Sequence, residues 1–459
     1  WHIRDGDSHA PVPARVHLRD PAGQPVRPAG LPFWHDHFVA EGSFELQLAP
    51  GEYRYELERG PEYRSVTGSV SVASAKTVAR TNDLPRFVNL SAEGWWSGDL
   101  HVHRPLRDAE LLMRAEDLHV APIITWWNSR GPWATNPLPT EPVVRFDGSR
   151  FLAPLAGEDE RGGGALLFFG LQRPLPLDGL AREYPASTSF LRQAGQQPGA
   201  WIDIEKPFWW DVPIWLATLR ADSVGIANNH QNRGGMLDNE AWGRPRDRGT
   251  YPGPKGNGYY SQDLYYRILN AGIRLPPSAG SASGVLPNPV GYNRVYVQMD
   301  GELTWDKWWD GLRAGRVFVG NGPLIRIRAN GQWPGATLRG QGPLAVTLEG
   351  RLDSREPIAA VELVRDGRVE RVALPARFDI EESGWFLVRA VADVPGTFRF
   401  ASTGPWFVEV GGKPPPVRRE AVRFFLDWTR ERKAAVSAAL TDPRSEEHTS
   451  ELQSRHYLV

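Results

Sequence analysis

The sequence contains no cysteine in 459 residues, which excludes disulfide frameworks, thiolate metal sites and cysteine nucleophiles. Any metal bound by this chain must be held by imidazole and carboxylate. A charge excess is also absent, since 53 Lys plus Arg face 54 Asp plus Glu. There is therefore no broad basic footprint for neutralising a phosphate backbone, and nucleic acid is excluded as an expected partner. With 41% apolar and 23% charged residues, the composition is that of an ordinary globular protein, and no membrane span is expected. The length suggests about three domains and enough chain to bury a large core.

Both ends call for care. The chain begins at Trp1 rather than Met, which leaves room for a leader upstream and so for a secreted or periplasmic location. Residues 444–454 read RSEEHTSELQS and are followed by Tyr457-Leu458-Val459, which resembles the translation of a sequencing-adapter oligonucleotide. Residues 444–459 are therefore set aside as an artefact tail, Glu446, Glu447 and His448 included, and the natural chain is expected to run past Pro443.

What is present is organised in blocks. Residues 1–88 alternate short β-type runs with turn signals, as in ARVHLRD, SFELQLAPGEYRYELERG and SVTGSVSVAS, and predict a small β-sandwich similar to transthyretin-like or carboxypeptidase-regulatory-like modules. Phe44, Leu46 and Leu48 alternate with Glu45 and Gln47, the period of two of a strand with one buried side. Over 94–323, apolar runs such as HVAPIITWW alternate with helical stretches such as DAELLMRAEDL, which predicts βα units and a barrel. Residues 324–412 return to β texture, with Asp366-Gly367 as a hairpin turn, and predict a second sandwich. Over 413–443, Val417, Ala421, Phe424 and Trp428 make the stripe of an amphipathic helix. The expected fold is thus a βα barrel flanked by two β-sandwiches and a C-terminal helix.

The segment carrying the most chemistry is Gly98-Asp99-Leu100-His101-Val102-His103. On an extended chain, residues i and i+2 point the same way, so His101 and His103 can converge on one ion. A His-x-His pair also occurs on ordinary strand surfaces, which is the reading given to His35 and His37. His101 and His103 differ in lying where the first barrel strand would end, the rim at which βα barrels gather their sites.

GDLHVH, the helix after it and the strand LHVAPIITWWN resemble the opening of PHP (polymerase and histidinol phosphatase) domains, in the carbaryl-hydrolase-like CehA/McbA branch. GEDERGGGALLFFGL resembles the acidic Gly-Glu motif of that branch, and GLRAGRVFVGNGPLIRI its closing segment, so the resemblance spans about half of the chain. It implies a distorted βα barrel in which two or three metal ions activate water for ester or phosphoester hydrolysis. This chain departs from the pattern at three places. Thr125-Trp126-Trp127-Asn128 stands where Thr-Asp-His-Asn is the rule, Glu205-Lys206-Pro207 where a His-Pro ligand belongs, and Gly280-Ser281-Ala282-Ser283-Gly284 where Ser-Asp-x-His closes the site. A multinuclear cluster therefore cannot be assembled from matching residues.

A mononuclear site remains, with His101, His103, His230 and an acid from Glu158, Asp159 or Glu160, Glu158 being the first choice because it follows Gly157. Zinc is the expected metal, with manganese or iron also suited to such ligands. The alternatives stay open: GEDER as a solvated charge run in a loop, and His230 as a polar loop histidine bonded to Asn228 or Asn232. Asp203, Glu205 and Lys206 are candidates for a replacement ligand, a general base or a cation opposing a substrate anion, or else for a buried salt bridge. Asp99 and Asn229 are placed around the metal ligands, and Asn229 is also assigned to binding the substrate. Of the 19 tryptophans, Trp126, Trp127 and Trp209 lie beside these segments and are assigned to stacking on a ring-containing, sugar-like or aromatic substrate, against the alternative of core packing. Trp305, Trp308, Trp309 and Leu312 have helical spacing and belong to a core. The expected activity is hydrolysis of an ester, phosphoester or carbamate, and the competing expectation is a non-catalytic barrel that binds a glycan or a protein.

Overall fold

The computed structural model describes residues 1–176 and 179–441, and the suspected adapter tail lies outside the described residues. The chain is sheet-rich with few helices. Its N-terminal block is an antiparallel five-stranded sheet in the order Phe33–Trp34, His37–Ala40, Ala14–Arg19, Gly51–Glu58, Val66–Val72, beside a parallel pair, His2–Asp5 with Thr81–Leu84. Ile3, Val16, Leu18, Phe38, Leu57 and Val70 fill the space between them. Residues 44–48 keep the expected alternation of half-buried and exposed positions but join no ladder. Trp1 stacks on Phe44 with ring centroids 5.6 Å apart, so this segment buries its apolar side without a strand partner.

From Trp95 a long mixed ladder runs in the spatial order Pro277–Ala279, Ser223–Ala227, Trp201–Ile204, Gly164–Phe169, Arg150–Arg161, Val120–Trp127, Trp95–Gly98, Arg294–Gln298, Val317–Gly320. Helices Leu106–Ala115, Gly256–Asn270 and Trp305–Arg313 are interspersed with the strands. GEDER falls inside the strand Arg150–Arg161, all of whose residues are buried, so it is not a solvated loop. Strand pairing closes no barrel among the described residues. The stretch 99–103 is nevertheless held from two sides. Leu100 N–H donates to Ala279 O (3.1 Å) and His103 N–H to Ser283 O (2.8 Å), while Val102 O accepts from Ile124 N–H (2.8 Å). Bonding on both flanks keeps this stretch extended, which is what points His101 and His103 the same way.

The ladder continues into the C-terminal block through Phe400–Thr403, Gly384–Ala392, Ile358–Arg365 and Arg368–Arg371. The antiparallel sheet Leu324–Ala329, Leu344–Asp353, Ala376–Ile380 shares a core with it, including Ile325, Val346, Leu348, Phe386, Val388 and Trp406. The turn Asp366-Gly367 joins two paired strands, with φ of 49° and 88°, the left-handed pair that a two-residue hairpin needs. Among the described residues the last helix is Arg419–Thr441, starting later than the expected 413. The Pro414-Pro415-Pro416 run delays its start, because a residue before proline is disfavoured in the α region. Val417 accordingly lies outside the helix and is 61% exposed, and Phe425 joins Ala421 and Trp428 in the buried stripe.

Candidate metal centre

His101, His103 and Glu158 meet at one point. His101 Nε2 lies 3.0 Å from His103 Nε2, Glu158 Oε2 lies 3.4 Å from the first and 3.0 Å from the second, and these three can hold a metal ion. Bonds of about 2.0–2.1 Å at tetrahedral angles put ligand atoms about 3.4 Å apart, close to the edges of this triangle. The strand Arg150–Arg161 delivers Glu158 with Glu160 on the same face, and turns Asp159 the other way to pair with Arg161 at 2.6 Å. Glu158 Oε2 is buried and has no hydrogen-bond partner. The two nitrogens thus face each other at hydrogen-bonding distance, and the carboxylate oxygen beside them is left without a hydrogen bond. Burial opposes charge on the His101 ring, but Glu158 and Glu205 overcome it and push the ring up to about 10. Burial likewise resists ionisation of Glu158, and the two imidazoles hold it well below the usual carboxylate range.

Around the triangle, Glu205 Oε1 lies 3.2 Å from His101 Nδ1, although its alignment falls short of a good hydrogen bond. Glu205 Oε2 takes Lys206 Nζ (2.6 Å) and Trp209 Nε1–H (2.8 Å), and the Lys206 ammonium sits over the Trp209 ring at 4.5 Å. Glu205 therefore stands behind a ligand. A carboxylate on the far nitrogen of a metal-binding imidazole fixes its tautomer and orientation. Asp99 accepts backbone N–H groups from His101 (3.0 Å), Ser281 (3.0 Å) and Gly291 (2.7 Å). Asp203 accepts the Ser223 and Ser278 hydroxyls, and burial pushes it up to about 6.

The other expected residues are distributed less uniformly. His230 is outside the triangle. Its Nδ1 contacts Asn239 O (2.9 Å), its ring lies against Phe208 (5.3 Å), and burial pushes it down to about 3. Its backbone N–H, not its ring, bonds the Asn228 side chain. Asn229 is buried, with Oδ1 lacking a partner. Trp127 faces the site: its ring is 5.3 Å from His103 and its Nε1–H donates to Glu160 Oε2 (3.0 Å). Trp126 points the opposite way and stacks on Phe168 in the core (5.9 Å), as alternation along the strand requires. Trp209 has 0% of its surface exposed, which leaves no face for a substrate. The Trp127–Glu160 contact was missed from the sequence, although the shared parity of Glu158 and Glu160 was a usable signal.

A second group that could hold a metal is His17, Asp36 and His37. His37 is 2% exposed and so is not a strand-surface residue, while His35 is exposed at the adjoining turn. Here each Asp36 oxygen already meets its own imidazole nitrogen, at 3.2 Å from His17 and 3.1 Å from His37, and His37 makes a hydrogen bond there. The carboxylate of this group is thus met within the protein, unlike that of the first group, and the buried atom left without a hydrogen bond here is His17 Nε2. No family model, curated protein or solved structure matches the chain.

Proposed function

We propose that the chain is a metal-dependent hydrolase of the PHP type, in the carbaryl-hydrolase-like branch, with one divalent ion held by His101, His103 and Glu158. Zinc suits these ligands best, and manganese or iron is the next choice. The observation that carries the reading is the buried triangle of facing nitrogens and oxygen whose carboxylate corner has no hydrogen bond. A buried polar cluster in that state is costly unless a further group satisfies it. The two-sided bonding of 99–103 fits the distorted barrel that the resemblance implies.

A divalent ion bound there lowers the pKa of water and polarises a carbonyl or phosphoryl oxygen. The chain's own residues do the rest. Glu205, held by Lys206 and Trp209, keeps the His101 ring oriented. Glu160, on the same strand face as Glu158, is placed to exchange a proton with a leaving-group oxygen. Trp127 fixes that carboxyl and offers a partly exposed ring to a ring-containing substrate, sugar-like compounds included. The bond cleaved is an ester, phosphoester or carbamate.

Metal analysis of protein purified without chelator tests this: about one ion per chain in the wild type and below about 0.1 in His101→Ala, with hydrolysis of p-nitrophenyl esters lost in parallel. A wild type without metal would sink the reading. Metal without turnover would favour the competing binding-module reading, which has one observation on its side: only 8% of the His103 side chain, and less of its two partners, is exposed.

A further inference from the structure

The N-terminal block contacts the loop that pairs with the His103 backbone. Trp34 Nε1–H donates to Leu286 O (2.7 Å), in the same loop whose Ser283 carbonyl takes the His103 N–H. Next to His103 in the chain is Arg104. Its guanidinium stands over the Trp34 ring, 5.4 Å from the centroid, and Nη2 donates to Phe33 O at 3.4 Å. Arg104 is 5% exposed, yet no carboxylate oxygen among the described residues comes within 4.0 Å of it. Every other arginine or lysine buried to this degree, Arg15, Arg150, Lys206 and Arg389 among them, has such a partner. Nor is the group sealed in, because its free N–H groups are absent from the fully buried atoms that lack partners.

A guanidinium taken out of water without a counter-charge is costly. The helix Leu106–Ala115 starts two residues on, and its N-cap, Pro105, makes no side-chain bond to the first-turn N–H groups. The positive end of that helix adds to the same field.

We propose that Arg104, backed by Trp34, binds an anionic group, a carboxylate or a phosphate, on the substrate. The planar fork of arginine matches two oxygens of such a group, and the sandwich becomes part of the site by supplying the ring beneath it. Only the word substrate rests on the hydrolase reading, since the anion site stands without it.

The test is calorimetric titration of the full chain with inorganic phosphate and, separately, succinate, at low ionic strength to limit screening. Wild type should bind at least one of them saturably, and the stronger of the two identifies the anion class. R104Q should weaken binding at least about tenfold, whereas H101A should stay within about threefold of wild type. R104M keeps the stem packed on Trp34 and serves if R104Q does not fold. The proposal is overturned if wild type binds neither anion, if the Arg104 variants bind within about twofold of wild type, or if binding is lost in H101A and kept in R104Q. Absence of turnover in wild type would remove the hydrolase reading and leave the R104Q result intact.

Discussion

Replacing Glu205 with Gln separates the stability of the centre from its metal affinity. Glu205 and Lys206 are each 3% exposed and their charges are 2.6 Å apart. At an effective dielectric of about 20 that separation corresponds to about 6 kcal/mol of attraction, most of which goes to offsetting desolvation. E205Q leaves the Lys206 ammonium buried beside Trp209 without its counter-charge, which is expected to cost about 3–5 kcal/mol. In E205Q/K206M both charges are gone and an apolar chain of similar length lies over the Trp209 ring. Stability should then return to within about 1 kcal/mol of wild type. Zinc affinity should not return, because both variants lack the carboxylate 3.2 Å from His101 Nδ1, and loss of such a partner typically weakens metal binding about 10–100-fold. Urea unfolding and competitive zinc titration read the two quantities independently. E205Q unfolding within about 1 kcal/mol of wild type, or the double variant regaining wild-type zinc affinity, would refute the assignment of Glu205 as the group that orients His101.

Two further outcomes are expected. A Cβ at Gly157 would meet the Trp126 ring at 1.6 Å, so Gly157→Ala should destabilise by about 3 kcal/mol or more in urea unfolding, and a loss below about 1 kcal/mol would contradict this packing. Burial, then repulsion from Asp117, pushes Glu62 up to about 7 from 4.5; its folded pKa lies above the unfolded one, so its contribution is complete below pH 4.5 and drains away as pH rises through 7. Glu62→Gln should flatten the stability profile in that window, and parallel profiles for the two proteins would show that Glu62 does not titrate this way.

Local periodicity made much of this legible. The parity of His101 and His103, the turn at Asp366-Gly367 and the tryptophan-rich helix Trp305–Arg313 all depend on neighbours within a few residues, and the structure has each of them. At Trp126 and Trp127 the same alternation separates a core residue from one beside His103. What the sequence could not display was tertiary pairing. Burial of His37 depends on Asp36 and on His17, which lies on another strand. That no carboxylate among the described residues stands beside Arg104 is likewise a tertiary fact.

Asp99 shows why the triangle needs elements that supply no ligand. Asp99, His101 and His103 share one parity, so the period of two that brings the imidazoles together also directs the carboxylate towards the returning loop, where it accepts N–H groups from Ser281 and Gly291 as well as from His101. Burial raises the pKa of Asp99 against the pull of those N–H groups, and a buried acceptor of three backbone donors fixes two remote segments together. The loop so fixed must also come close. A Cβ at Gly280 would stand 2.4 Å from His101 Cβ, and Gly284, at φ 102°, lies where a Cβ would come 2.7 Å from His103 O. Gly280 and Gly284 therefore contribute by the side chains they lack: glycine at both positions lets the loop lie against the backbone and Cβ atoms of the two histidines that Asp99 has aligned, and a larger residue at either one would displace a ligand without being one.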